Sequence, residues 1–192
     1  MRTMILALPL ILLLAACGDE PASTSAWKPV DPAAMSTAQK AQQAKGVAAK
    51  DALFSRLTAK LKAAFAEGPG AAIGACRVAA PEITAAVGGE QALRIGRTSH
   101  KLRNPENTPP DWAGSFIDQR TSKPVWLAHD DGRLAGLLPI STMPLCLMCH
   151  GEKNSIMEPI RTALHEHYPD DQATGFAPGD LRGWFWLEIP KP

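Results

Sequence analysis

The usual signatures of enzymology are missing from this 192-residue chain. It has no G-x-S-x-G, no H-E-x-x-H and no Walker motif, so neither a hydrolase nucleophile nor a zinc-protease helix nor a nucleotide-phosphate loop is indicated, and no enzyme activity is expected. Neither sign of charge is in excess. With 20 Lys and Arg against 19 Asp and Glu, the formal net charge is +1, which offers no basic face for nucleic acid and no charged tail for a polyvalent partner. A long apolar run is also lacking: the stretch from Met4 to Ala16 is too short to span a bilayer unaided. There is no internal repeat. Cysteine is sparse, at four residues, and a four-ligand zinc site would need a second metal-binding pair that the chain does not contain. What remains, at 45% hydrophobic residues, suits one globular domain with its own core.

Three of the four cysteines have a specific use. Cys146-Leu147-Met148-Cys149-His150 has the C-x-x-C-H spacing that lets two thiols add across the two vinyl groups of one haem while the adjacent histidine meets the iron. A thioredoxin-like C-x-x-C would follow a strand and open a long helix, which this segment does not. One covalent haem c is therefore expected on Cys146, Cys149 and His150, with His150 a neutral imidazole whose second N–H needs an acceptor. At the other end, Leu14-Ala15-Ala16-Cys17-Gly18 follows Arg2 and the apolar run, as in the lipobox of bacterial lipoproteins. Residues 1–16 then read as a lipoprotein signal peptide and Cys17 as the lipidated first residue of the mature chain. The protein would be held to a membrane by its acyl chains only, facing the periplasm, with Gly18 rather than Asp favouring the outer membrane. Cys76 is left with no disulfide partner.

Between these points the pattern is that of an α+β domain. Residues 17–35, rich in Pro, Ala, Ser and Asp, read as a flexible tether, and residues 36–192 as the single domain. Val47, Phe54, Leu57, Leu61 and Phe65 recur at helical spacing and predict one long amphipathic helix to Glu67, ended by Gly68-Pro69-Gly70, with those residues as its core face. A second helix is expected from Ala71 to Ala79, and Pro81 is read as opening a further short one to Val87. Leu93 to Thr98, Pro124 to Ala128, Leu134 to Ile140 and Trp184 to Ile189 read as strands, the middle two joined by a hairpin at Asp130-Asp131-Gly132. Asp111 should cap a short helix over Trp112 to Ile117, and Ser155 to His167 a longer one.

Several short motifs stand in order: Ala72-Ile73-Gly74-Ala75-Cys76, Arg97-Thr98-Ser99, Arg103-Asn104-Pro105-Glu106-Asn107, Cys146 to Gly151, Tyr168-Pro169 and Gly179-Asp180-Leu181-Arg182-Gly183. This set, from about Ala71 to Pro190, resembles the PAS-like c-type haem domains found in small cyanobacterial haem proteins and ahead of sensor kinases. The resemblance implies long helices leading into a PAS-like antiparallel sheet, and an iron held by the motif histidine and a distant cysteine. Cys76 stands at that cysteine's place. Within these 192 residues no kinase, HAMP or membrane-spanning segment is expected.

On residue chemistry alone the sixth iron position is open to Cys76, Met143, Met148, Met157, His100, His129, His165 or His167, or to no ligand at all; the resemblance and the cysteine bookkeeping favour Cys76. Its place within two turns of a helix start, beside Arg77, should favour the thiolate. Arg97, Arg103 and Arg182 are candidates for the haem propionates, since a guanidinium pairs bidentately with carboxylate. Two axial ligands leave no open position for oxygen, which favours electron transfer with an unidentified periplasmic redox partner. The alternative is a redox or gas sensor in which displacement of Cys76 is read by a signalling partner.

Overall fold

The computed structural model describes residues 26–192. Cys17 and the signal sequence, together with the first part of the tether, lie outside the described residues. The fold is a five-stranded antiparallel sheet, in the order β1-β3-β4-β5-β2, with two long helices across one face. In chain order the elements are β1 (Trp27–Pro29), α1 (Thr37–Glu67), α2 (Ala71–Glu90), β2 (Arg94–Thr98), α3 (Gly114–Asp118), β3 (Val125–His129), β4 (Leu134–Ser141), α4 (Leu147–His150), α5 (Glu158–His167) and β5 (Leu181–Ile189). The α+β expectation and its hairpin therefore stand.

The tether ends earlier than composition suggested. Trp27 pairs with His129 and Pro29 with Leu127, so β1 forms one edge of the sheet. A proline is tolerated there because an edge strand is hydrogen-bonded on one side only. Asp31 then caps a 3-10 turn over Pro32–Ala34, and Met35 is buried in the main core.

Ser36 starts α1 through a reciprocal pair of bonds. Its Oγ accepts from the Gln39 amide at 3.2 Å, and Gln39 Oε1 accepts from the Ser36 amide at 2.9 Å. The face that α1 presents to the sheet is not the one its large residues predicted. Gly46, Ala49 and Leu53 are buried, whereas Val47 and Phe54 are each 37% exposed. Small residues win the sheet face because they bring the helix close to β5: a Cβ on Gly46 would stand 3.1 Å from Ile189 Cδ1. Phe54, Leu57, Leu61 and Phe65 are thereby turned to wall a cleft.

The two helices expected around Pro81 are one, since α2 runs unbroken from Ala71 to Glu90. Pro81 removes only the rung to the carbonyl of Arg77, on a side where Arg77 and Val78 are exposed and water can take over the acceptor. The helix expected from Ser155 begins at Glu158 with Pro159 in its first turn, after a separate 3-10 turn over Lys153–Ser155.

The helix-facing side of the sheet carries Ile95, Leu134, Leu138, Phe185, Leu187 and Ile189, which form the main core with Ala49, Leu53 and Val87. A second cluster joins Ile73 of α2 to Cys149 and to Ile156, Ile160, Leu164 and Tyr168. The cleft is lined from both clusters. No helix among the described residues is long and apolar enough to cross a membrane.

Candidate functional site

The C-x-x-C-H segment is wound as the sequence requires. A 3-10 turn over Pro144–Cys146 passes directly into α4, so Cys146 and Cys149, three residues apart, lie on neighbouring positions of one surface. Both line the cleft, as does His150. The residue after the histidine has to be small: a Cβ on Gly151 would sit 2.7 Å from the carbonyl oxygen of Leu147.

The loop 171–176 braces this turn from behind. His150 Nδ1 lies 2.7 Å from the carbonyl oxygen of Ala173, which fixes Nδ1 as the protonated nitrogen and leaves Nε2 with a free lone pair. The Phe176 amide donates to the His150 carbonyl at 3.0 Å, and the Gly175 amide to Gly151 at 2.9 Å. Burial, reinforced by Arg182 and Arg103, holds the His150 pKa well below the usual histidine range, so the ring is neutral and able to coordinate. Burial likewise pushes the Cys149 thiol up to about 11.

Arg103 ties the two segments together. Its Nε and Nη2 stand 3.1 and 2.9 Å from Asp171 Oδ2, and Nη2 also donates to the Cys149 carbonyl at 2.5 Å. Asp171 Oδ1 accepts in turn from the Ala173 amide at 2.8 Å, which positions the carbonyl that holds His150. The side chains of this ion pair are only 9% and 10% exposed.

Cys76, on the second turn of α2, opens onto the same cleft. Although its surface is accessible from the cleft, protein surrounds it closely enough that burial raises its thiol pKa. Arg97, Arg103 and Arg182 oppose that rise. Arg77 has no part in this, contrary to the expectation from sequence, because it turns away to His167, Nη1 to Nδ1 3.2 Å. A thiol raised by burial becomes a ligand when a metal charge supplies what the helix dipole does not.

The cleft has an apolar wall from α1 and a second, more polar recess adjoining it. Six residues border both: Cys76, Arg97, Arg103, Asn107, His150 and Arg182. Arg182 is buried enough to lower its pKa to about 10. Its Nη1 donates to Ser99 Oγ at 2.9 Å, its guanidinium lies 5.3 Å from the centre of the Phe176 ring, and its Nε is buried with no acceptor. Arg97, partly buried near the end of β2, has no side-chain hydrogen bond or ion pair among the described residues, and burial lowers its pKa also.

Of the other candidate ligands, only Met143 lines the cleft. His129 pairs with Asp131 at the hairpin, His100 packs on Phe176 and Trp184, His167 meets Arg77, Met148 joins the second core and Met157 is exposed. His165 is exposed on α5. No group of three or more His, Cys, Asp or Glu among the described residues could chelate a bare ion. The donor set of two thiols on one turn, one imidazole nitrogen, one further sulfur and unpaired guanidiniums fits an iron porphyrin, which needs only two protein ligands. The brace residues Asp171 and Ala173 were missed from sequence; a backbone carbonyl acts whatever side chain carries it, so no motif marks it.

Against known proteins, the family described as Tll0287-like (Tll0287) matches residues 24–190. No curated protein matches the chain. Among solved structures, the crystal structure of the cyanobacterial heme-protein Tll0287 is similar at 26% identity, over 61% of this chain and 72% of that one, with a TM-score of 0.48.

Proposed function

Because the chain belongs to the Tll0287-like family, we propose that it is a c-type haem protein, with one haem attached through Cys146 and Cys149 and its iron held between His150 and Cys76. The observation that carries this reading is convergence. Cys76, far earlier in the sequence and on another helix, borders the same recess as Cys146, Cys149 and His150. Attachment requires only that each Sγ–H add across a vinyl double bond, the new S–C bond replacing the vinyl π bond while the hydrogen goes to the neighbouring carbon, with no change of oxidation state. The Ala173 carbonyl orients the imidazole, and the apolar wall of Phe54, Leu57, Leu61 and Phe65 excludes water from one side. When bound, haem supplies a one-electron couple at its iron.

The role we propose is electron transfer with a periplasmic partner, from a membrane-tethered position through lipid on Cys17. A second reading, a redox or gas sensor, is favoured by one feature of α2. The rung that Pro81 removes belongs to the carbonyl of Arg77, the residue next to Cys76, so the helix lacks one backbone bond directly beside the sulfur-bearing residue.

One measurement tests both covalent assignments: the intact mass, under denaturing conditions, of protein extracted from membranes of cells able to mature c-type cytochromes. The expected mass includes haem and an acylated Cys17 N-terminus. A polypeptide without haem would overturn the cofactor reading, and an unacylated N-terminus the anchor.

A further inference from the structure

The two recesses point to the orientation of the group that would fill them, an inference that rests on the haem reading. We infer that the carboxylate edge of the haem lies in the second recess, with Arg97 and Arg182, and not Arg103, as its counter-ions. A ring held between an imidazole and a sulfur occupies space bordered by both, and Cys76 and His150 border both recesses. The vinyl and propionate substituents stand at opposite edges of the porphyrin. Cys146 and Cys149 line the first recess only, where Phe54, Leu57, Leu61 and Phe65 provide an apolar wall, so the vinyl edge belongs there. The opposite edge then enters the second recess, which adds Asn104, Thr108 and Tyr168 to the shared arginines.

The existing ion pairing decides which arginines answer the carboxylates. Arg103 is committed to Asp171 through Nε and Nη2 and to the Cys149 carbonyl. Arg182 spends Nη1 on Ser99 Oγ, at 2.9 Å, and the Lys101 carbonyl, at 3.4 Å, and keeps a buried Nε with no acceptor. Arg97 has no acceptor at all among the described residues. A desolvated cation without a partner is costly, and a charge-assisted bond to a carboxylate relieves that cost. The carboxylate that the second recess already has, Glu106, is exposed and turned back to its own loop, Oε2 accepting from Asn104 Nδ2 at 3.5 Å, and it makes no ion pair with either arginine among the described residues.

The test uses haem-loaded protein and the variants Arg97→Gln, Arg182→Gln, Arg97→Lys, Arg182→Lys and Arg103→Gln, read by the propionate-bending bands in resonance Raman spectra and by the midpoint potential. Both glutamine variants should move a propionate band and lower the potential, because loss of a nearby positive charge favours the ferric state. The lysine variants should move the band while holding the potential near wild type, which keeps the test open if a glutamine variant fails to fold. Arg103→Gln should cost thermal stability and leave the propionate bands in place. Unmoved bands and potentials at positions 97 and 182, with the ferric ligation signal intact, would overturn the orientation while leaving haem binding standing. A band that moves only in Arg103→Gln would overturn it too. A wild-type protein that carries no haem would sink both readings together.

Discussion

Asp171 joins three jobs in one carboxylate: it neutralises Arg103, accepts the Ala173 amide, and so sets the carbonyl that bonds His150 Nδ1. Because the pair is nearly buried, removing one partner strands a charge, and that costs roughly 3–5 kcal/mol, against less than about 1 kcal/mol for an exposed pair. Asp171→Ala should therefore lower the unfolding free energy of the haem-loaded protein by about 3 kcal/mol in chemical denaturation and loosen the imidazole. A loss of only a few tenths would mean that the bond network around the motif is redundant. At this scale the sequence was readable where chemistry is tied to a side chain. Cys146, Cys149 and His150 come together as their spacing requires, and Cys76 lines the same cleft. Asp171 and Ala173 were not legible, because their effect depends on a loop that folds back over the motif rather than on any local pattern. The helix-dipole argument for Cys76 also misjudged the charges, since the arginines that act on it come from β2, β5 and the loop after β2.

Element by element, hydrophobic period gave the extent of α1, but not which side is buried. A reading from large residues assumes that the largest side chains pack on the sheet; here Gly46 and Ala49 do, and Phe54, Leu57, Leu61 and Phe65 line the cleft, with Leu57 and Phe65 also touching the edges of the two cores. An apolar stripe rotated away from the sheet-facing side is what a helix needs in order to serve a sheet and a bound apolar group at once. Pro81 misled in the opposite direction. Read as a boundary, it is instead tolerated inside α2, where Thr84 Oγ1 bonds back to the Ala80 carbonyl at 2.8 Å. Restoring the missing rung with Pro81→Ala should raise the melting temperature, since proline is about 3 kcal/mol less favourable than alanine within a helix. If Cys76 is a displaceable ligand, the same variant should slow carbon monoxide binding by the reduced protein. Unchanged carbon monoxide kinetics alongside a raised melting temperature would leave the sensor reading without its structural support.

For the molecule as a whole, the cleft lies where two hydrophobic clusters meet, one on the sheet and one formed by α2, the motif and α5. Residues that close it come from nearly every part of the described chain, from Phe54 on α1 to Phe185 on β5, so a group bound there contacts both halves of the fold. The near-balanced charge of +1 says little about long-range steering, and recognition of a redox partner would depend on the surface near the cleft mouth. The central claim is that Cys76 completes the iron coordination opposite His150, and the EPR spectrum of the oxidised protein beside its Cys76→Ala variant tests it most directly. The account predicts that the variant keeps its covalent haem but loses the thiolate-type low-spin ferric signal of the wild type. A Cys76→Ala protein with the wild-type ferric signal would contradict it and assign the sixth position to another residue, Met143 being the one candidate that also lines the cleft.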